Sequence, residues 1–189
     1  MARVYRPIPV PAGIEVKPGP GNVSVKGKLG TVSVRLPQDT QVKVDKGFVT
    51  VEVGPAVHRA MLGTTRAHIL NAFTGVSQGY VKALEVRGMG YRVQKTKEGV
   101  QIACGYSHPV NVAAPAGITF DVNQVPNPDD TKEQMFQITV KGIDRQAVGE
   151  IAAELRDVKP PDTYRGKGVR YKAEYVRKKA GKRAVGTQA

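Results

Sequence analysis

The sequence predicts an α+β fold built from two similar halves, and three observations support this class. First, apolar residues alternate with polar ones through residues 23–53, and the pattern returns between residues 84 and 140. Second, each strand-rich stretch is followed by one helix-like stretch, whereas a doubly wound fold would alternate strands with helices. Third, hydrophobic residues make up 40% and charged residues 24% of the 189-residue chain, so an ordinary packed core is expected.

Residues 23–53 are predicted to form strands and turns. Turn-forming residues lie at Gly27, Gly30, Pro37 and 45–47, between runs of alternating valines. The runs are Val23 and Val25, then Val32, Val34 and Leu36, then Val42 and Val44, and finally Val49, Val51 and Val53. After Pro55 the spacing becomes that of a helix. Its apolar face comprises Leu62, Ile69, Phe73 and Val76, and its end is weakened by Gly75 and Gly79.

The second half repeats this order with more strands. Strand patterns resume around Gly88 and Gly90, and a hairpin is expected where residues 106–109 join two short apolar runs. The apolar strand positions are Leu84, Val86, Tyr91 and Val93, then Val100, Ile102, Val110 and Val112, then Ile118, Phe120 and Val122, then Phe136, Ile138 and Val140. Asp144 is a plausible N-cap for a one-sided helix. That helix carries Val148, Ile151, Leu155 and Val158, and ends at Pro160-Pro161.

Short matching motifs indicate an internal duplication. Val25-Lys-Gly27 corresponds to Val86-Arg-Gly88, and residues 37–44 correspond to residues 115–122. The second half contains two insertions, the hairpin and a polar loop at 126–133. We therefore expect an N-terminal domain over residues 1–80 and its duplicate over residues 81–162. A basic tail over residues 163–189 follows them.

Charge is distributed unevenly along the chain, whose net charge is +13. Residues 1–97 carry 15 basic and 5 acidic side chains, residues 98–162 carry 5 and 10, and residues 163–189 carry 9 and 1. This balance predicts a polyanionic partner that faces the N-terminal part and the tail. Nucleic acid is the first candidate, and an anionic membrane surface is the second.

Cysteine and histidine are too few for several kinds of site. Cys104 is the single cysteine, which excludes an intrachain disulfide and a cysteine-rich zinc site, and its place in a strand pattern favours a small core residue. His58 and His68 lie ten residues apart, which does not suit a shared metal. The N-terminus lacks signal-peptide features, and residues 99–120 are too polar to cross a membrane. We expect a soluble protein in a reducing compartment, without cofactor or metal.

Enzyme motifs fail on their own residues. Gly166-Lys-Gly168 is not a P-loop, because Pro161 stands where a glycine is needed and no Ser or Thr follows. Gly88-Met-Gly90 favours a turn or bulge over a dinucleotide site. No acid is placed by the sequence to orient His108 beside Ser107. The acidic residues at 129–130 and 133 indicate a solvated loop.

The segment after Pro160-Pro161 is the most informative stretch. It interleaves cations with two glycines, where bare backbone could approach phosphates, and it adds tyrosines suited to stacking. Its residues are Tyr164, Arg165, Gly166, Lys167, Gly168, Arg170, Tyr171, Lys172 and Tyr175, followed by Arg177, Lys178, Lys179, Lys182 and Arg183. Because the segment contains so few apolar residues, we expect it to become ordered only on a polyanion.

The motifs together resemble the large-subunit ribosomal protein of the L-six family, bacterial type. Matching stretches are Pro7–Ile14, Leu62-Gly-Thr-Thr-Arg66 with Asn71 and Gly75-Val76, Gly88-Met-Gly-Tyr-Arg92, Gly105-Tyr-Ser-His-Pro-Val110 and Pro160–Tyr171. They run nearly end to end. The start at 2–6 departs from the family pattern, and residues 25–30 lack its usual proline.

The resemblance implies two duplicated domains of small sheets and a helix, and a structural rather than enzymatic role. It implies binding to 23S rRNA near the sarcin–ricin loop and the stalk base, where translational GTPases dock, beside other large-subunit proteins in the cytoplasm. Residues expected at RNA are Tyr164, Arg165, Lys167, Gly168, Arg170, Tyr171, Lys172, Arg177, Lys178, Lys179, Lys182, Arg183 and Arg66. Arg66 equally fits a cap or a bridge between the domains, and Tyr91 and Arg92 fit an inter-domain pair as well as an RNA contact.

The alternative is a generic basic nucleic-acid-binding protein outside the ribosome, or a protein of the membrane surface. DNA readers usually carry their basic residues on a helix, but the helix expected at 147–158 carries Glu150, Glu154 and Asp157. A membrane-surface segment needs a strong apolar face, and the tail lacks Leu, Ile and Phe. Both features weaken this alternative.

Overall fold

The computed structural model describes residues 6–38, 40–45, 47–54, 59–126, 134–179 and 181. The chain divides into two compact units. The first unit comprises residues 1–80 with 142–146, and the second comprises residues 81–141 with 147–189. Each unit contains small sheets and helical residues, so the fold class is α+β as predicted.

The first unit holds two three-stranded sheets and one long helix. Neighbouring strands in both sheets are antiparallel. One sheet has the order β1 (Ile8–Pro9), β6 (Phe48–Val53), β5 (Thr40–Asp45), and the other has the order β2 (Glu15–Gly19), β3 (Asn22–Lys26), β4 (Thr31–Arg35). The helix α1 (Arg59–Gln78) follows β6, as the change of period predicted.

The core of the first unit confirms the apolar patterns. Val23, Val25 and Val49 from the strands are fully buried, as are Ile69 and Val76 from α1. At the end of α1, the Gly79 amide donates to the Gly75 carbonyl at 3.0 Å, with φ +76° at Gly79. The helix therefore ends beside Gly79, as the sequence predicted.

The second unit contains a three-stranded and a four-stranded sheet. The first has the order β10 (Val110–Ala113), β9 (Gly99–Ala103), β8 (Arg92–Lys95), and the second has the order β11 (Ile118–Pro126), β12 (Gln134–Gly142), β7 (Tyr80–Arg87), β13 (Gly168–Tyr171). The predicted hairpin is confirmed, because β9 and β10 pair antiparallel with Val112 opposite Val100. Helix α2 (Arg145–Val158) buries Val148, Ile151, Ala152 and Leu155.

One expectation about the tail is wrong. Gly168–Tyr171 forms strand β13, which pairs antiparallel with β7, and Val169 is fully buried. The sequence argument weighed the scarcity of apolar side chains, but an edge strand needs only a backbone partner and one or two buried side chains. This part of the segment is therefore ordered within the protein itself. Lys182 and Arg183 lie outside the described residues.

Candidate nucleic-acid interface

Strand β13 anchors the predicted site in the second unit. Its register places Val169 opposite Val86 and Arg170 opposite Glu85. Since side chains alternate across a strand, Val169 joins the apolar core while Arg170 points to the other face of the sheet. The strand thus holds the middle of the basic segment against the four-stranded sheet.

Arg170 belongs to a largely buried ionic cluster. The Glu85 carboxylate oxygen Oε2 accepts from Arg87 Nη2 at 2.8 Å, from Arg87 Nε at 3.1 Å and from Arg170 Nε at 3.4 Å. The three side chains are 7, 9 and 12% exposed, in the order Glu85, Arg87, Arg170. The positive charge of Arg170 is therefore largely buried and lies beside the Glu85 carboxylate.

The outer edge of β13 is capped by its own flanking loops. The Val169 amide donates to the Lys159 carbonyl at 2.7 Å, and the Tyr171 amide donates to Glu174 Oε2 at 3.1 Å. Glu174 also accepts two hydrogen bonds from Arg156, at 2.6 and 3.1 Å. These bonds, the Arg156 pair above all, lower the pKa of the Glu174 carboxyl. The segment after the strand is thereby fastened to α2.

Residues 162–167 form a compact loop ahead of the strand. The Asp162 carboxylate accepts from the amides of Tyr164 at 3.2 Å and Arg165 at 3.0 Å. The Gly166 amide donates to the Asp162 carbonyl at 2.9 Å, and Gly166 has φ +71°. The Lys179 amide donates to the Thr163 carbonyl at 2.8 Å. The loop and the last described basic residues therefore lie side by side.

The structure separates the predicted RNA-binding residues into exposed and supporting positions. Gly168 is buried and Arg170 nearly so, whereas Lys167 and Tyr171 are half-buried. The exposed members are Tyr164, Arg165, Lys172, Arg177, Lys178 and Lys179. All six exposed residues lie in the second unit.

Arg66 lies in the first unit, on α1. Its Nη1 donates to the backbone carbonyl of Arg6, and the residue is half-buried. Asn71, also on α1, accepts from Arg145 at 2.9 Å through its side-chain oxygen. Both residues thus make structural bonds within the first unit.

Sequence reasoning missed three residues beside the basic segment. The Lys159 ammonium lies 4.6 Å from the centre of the Tyr106 ring, and the Tyr106 hydroxyl donates to the Val158 carbonyl at 3.1 Å. The Lys82 ammonium lies 5.8 Å from the centre of the Tyr171 ring. Tyr106 lies in the Gly105–Val110 motif, which supports the family resemblance. The motif does not indicate where Tyr106 lies relative to the basic segment. Its proximity to Lys159 depends on the fold.

The described residues contain no group of three or more His, Cys, Asp or Glu placed to hold a metal ion. Cys104 is buried and free, as its strand pattern predicted, and burial raises the pKa of its thiol. None of the helices they form is long and apolar enough to cross a bilayer.

Comparison with known proteins gives one consistent family. The family model described as Ribosomal protein L6 matches residues 10–79 and 87–172. Curated relatives named "Large ribosomal subunit protein uL6" include those of Roseiflexus castenholzii, Enterococcus faecalis and Rubrobacter xylanophilus. They are 43%, 41% and 42% identical to this chain, respectively. Each alignment covers 96% of this chain and 97%, 98% and 99% of the relative, in the same order.

Proposed function

The chain belongs to the ribosomal protein L6 family, and we propose that its second unit binds 23S rRNA through the exposed basic segment. Members of this family are structural, non-enzymatic constituents of the large ribosomal subunit. A protein of that subunit works in the cytoplasm, in contact with rRNA and other ribosomal proteins. Family membership does not favour the alternative of a generic nucleic-acid-binding protein.

One observation carries the proposal. Exposed cations and a tyrosine stand on a loop and an extended segment that the protein itself holds in place, rather than on a free tail. Arg165, Lys172 and residues 177–179 supply five positive side chains, all exposed. The two acids within this segment, Asp162 and Glu174, accept hydrogen bonds from the protein's own amides and guanidinium group. Such a surface is preorganised for phosphates.

We assign different roles to the members of the set. Arg165, Lys167, Lys172 and residues 177–179 contact phosphates, and Lys182 and Arg183 extend this contact. Tyr164, 58% exposed, stacks on a base or a sugar. The half-buried Tyr171 ring packs against the ammonium of the exposed Lys82. Gly168 and Arg170 support the strand that holds the surface in place.

Membership of this family supports a proposal for the position on the rRNA. We propose that the basic segment binds near the sarcin–ricin loop and the base of the stalk, in the region where translational GTPases dock. The chain would then support that region structurally and lie close to the factors transiently. In the first unit, Arg66 is proposed as an additional RNA contact, because the residue is only half-buried.

Binding to two rRNA fragments of equal length tests the proposal. One fragment contains the sarcin–ricin loop and the stalk base, and the other comes from a distant part of 23S rRNA. The variant Arg177→Gln/Lys178→Gln/Lys179→Gln is compared with Lys26→Gln/Lys28→Gln/Arg35→Gln, which removes the same charge from exposed positions of the first unit. Affinity is measured by filter binding at several salt concentrations.

We expect the first fragment to bind more tightly. Each lost phosphate contact should reduce the log–log salt slope by about 0.7–0.9, and only the variant at 177–179 should show this reduction. Equal binding of both fragments would contradict the proposed location. Equal losses in both triple variants would mean that diffuse charge, rather than this segment, binds the RNA.

Point substitutions are the right tool here. Removing residues 163–189 would delete β13 together with the buried Val169. Loss of binding in such a truncation would therefore mix the loss of contacts with damage to the four-stranded sheet.

A further inference from the structure

An acidic residue stands within the basic loop. Asp162 follows Pro160-Pro161 and precedes Tyr164, Arg165 and Lys167. It is exposed, so its carboxylate faces the same solvent as the neighbouring cations. A carboxylate in this place would repel an approaching phosphate. On charge alone, its replacement by a neutral residue should strengthen binding to RNA.

The geometry points to a different role for this carboxylate. Its two oxygens accept from two successive amides, those of Tyr164 at 3.2 Å and Arg165 at 3.0 Å. The backbone of Asp162 closes the same loop, since its amide donates to the Lys167 carbonyl at 2.8 Å and its carbonyl accepts from Gly166 at 2.9 Å. One residue thus holds both ends of the loop that presents Tyr164 and Arg165.

Further contacts support this conformation of the loop. A Cβ at Gly166 would lie 3.1 Å from Lys178 Cε, and φ at Gly166 is +71°. The backbone of Thr163 is bonded to that of Lys179. The Arg165 and Tyr164 amides lower the pKa of the Asp162 carboxyl, so the acceptor stays ionised at neutral pH.

We propose that Asp162 is a positioning residue of the RNA-binding surface, which fixes the turn at 163–165 so that Tyr164 and Arg165 meet RNA already ordered. This inference rests on the proposed function. Ordering a loop on binding costs free energy, and a loop that is ordered beforehand avoids most of that cost. The positional gain exceeds the repulsion between one exposed carboxylate and phosphate, which solvent and salt screen.

Three single substitutions separate position from charge. Asp162→Ala removes both the charge and the acceptors, and Asp162→Asn removes the charge but keeps a side-chain oxygen that can cap the turn. Asp157→Ala removes the same charge from an exposed position on α2. The probe is the rRNA fragment containing the sarcin–ricin loop and the stalk base. The full-length chain is used throughout.

We expect Asp162→Ala to bind about fivefold more weakly, which corresponds to about 1 kcal/mol. Asp162→Asn should restore binding to within about twofold of the parent, and Asp157→Ala should bind at least as tightly as the parent. The salt slope should stay the same in Asp162→Ala, because the number of cations is unchanged.

A second measurement distinguishes this role from general stability. In a chain that already carries Tyr164→Ala and Arg165→Ala, adding Asp162→Ala should cost little further affinity, because the residues that Asp162 positions are gone. Undiminished loss in that background would overturn the inference, as would Asp162→Ala binding as tightly as the parent or more tightly. Failure of the parent chain to prefer this fragment would instead contradict the proposed function, so the two failures are distinguishable.

Discussion

Gly168 has a packing role that the sequence did not indicate. Because it stands among cations, the sequence predicted that its backbone would approach phosphates. In the structure φ is +141°, and a Cβ would lie 2.7 Å from the Pro160 carbonyl oxygen and 2.7 Å from the Pro161 Cα. The space beside this glycine is therefore filled by the protein's own chain. Gly168 therefore contributes by allowing strand β13 to pass the two prolines.

Replacing this glycine with alanine tests the packing role. Gly168→Ala should lower the free energy of unfolding of the second unit by about 2 kcal/mol or more, because the added methyl meets rigid backbone and the φ angle disfavours a side chain. Gly149→Ala is the matched control, since Gly149 lies inside α2 with nothing within 4 Å of its would-be Cβ. This control should stabilise by about 0.5–1 kcal/mol.

Urea denaturation of both variants, monitored by circular dichroism, measures these changes in the free energy of unfolding. Opposite shifts of the two midpoints are expected. An unchanged midpoint in Gly168→Ala would show that the backbone at residues 159–161 yields easily, and the packing role would then be abandoned.

Glu85 marks a limit of residue-level prediction. In the sequence it is a charged residue at an alternate position of a strand, a pattern typical of a solvent-facing side chain. In the structure it is buried between Arg87 and Arg170, and Arg170 is 85 positions away. Arg87 lies two residues away on the same strand, but only the pairing of β7 with β13 brings Arg170 to this carboxylate. No local pattern contains that information.

At the scale of elements, local periodicity predicted the helices and the hairpin, which are specified by nearby residues. Both helices occur where the spacing of apolar residues changes, and the N-cap at Asp144 is confirmed by a bond of 2.9 Å from the Gln146 amide to Oδ1. The hairpin of β9 and β10 was predictable as well. In each case the signal lies within about twenty residues, which is the range over which a turn or a helix is specified.

Strands that depend on distant partners were not predicted. Strand β13 consists of Gly-Val-Arg-Tyr, whose single buried valine gives no alternation to recognise. Strands β1 and β2 are short or interrupted, with Pro9 in one and Pro18 in the other. Their pairing is set by β6, β3 and β7, and so by the fold rather than by the segment itself.

The bond between α2 and the segment after β13 predicts a dependence of stability on pH. Arg156 is the main cause of the lowered pKa of Glu174. A lowered pKa in the folded state contributes stability above the ordinary glutamate value of about 4.5, and this contribution is lost as the pH falls through the folded-state pKa. At pH 7, Glu174→Gln should therefore be less stable than the parent by about 1–2 kcal/mol.

Thermal unfolding of Glu174→Gln and the parent between pH 7 and pH 3 checks the sign. The difference in stability should be largest at pH 7 and should shrink as the pH falls below about 4.5. In an Arg156→Ala background the difference should nearly vanish at every pH, because the main partner is missing. A difference that grows on acidification would refute the assignment.

At the scale of the whole molecule, the duplication and the division into two units raise the question of whether each unit folds independently. The family match falls into two segments, 10–79 and 87–172, much as the sequence motifs repeat. Yet the first unit also takes in residues 142–146, and Ile143 packs against its core. A Cβ added at Gly75 would lie only 2.1 Å from the backbone carbonyl oxygen of Ile143. Internal repetition predicted two halves, but not that the chain returns to the first.

We propose that residues 1–80 nevertheless contain a core able to unfold cooperatively, with Ile143 as an addition to it. A fragment of residues 1–80 should show a sigmoidal urea transition, because all eleven buried residues of this core cluster belong to the fragment. In the full chain, Ile143→Ala should destabilise the first unit by about 1–2 kcal/mol, since this side chain is only half-buried. Native-state hydrogen exchange at Ile69 and Ile138 reports the two units separately. Ile69 should lose protection while Ile138 keeps it. Equal losses at both sites would mean that the two units unfold as one, and the boundary at residue 80 would then have no thermodynamic meaning.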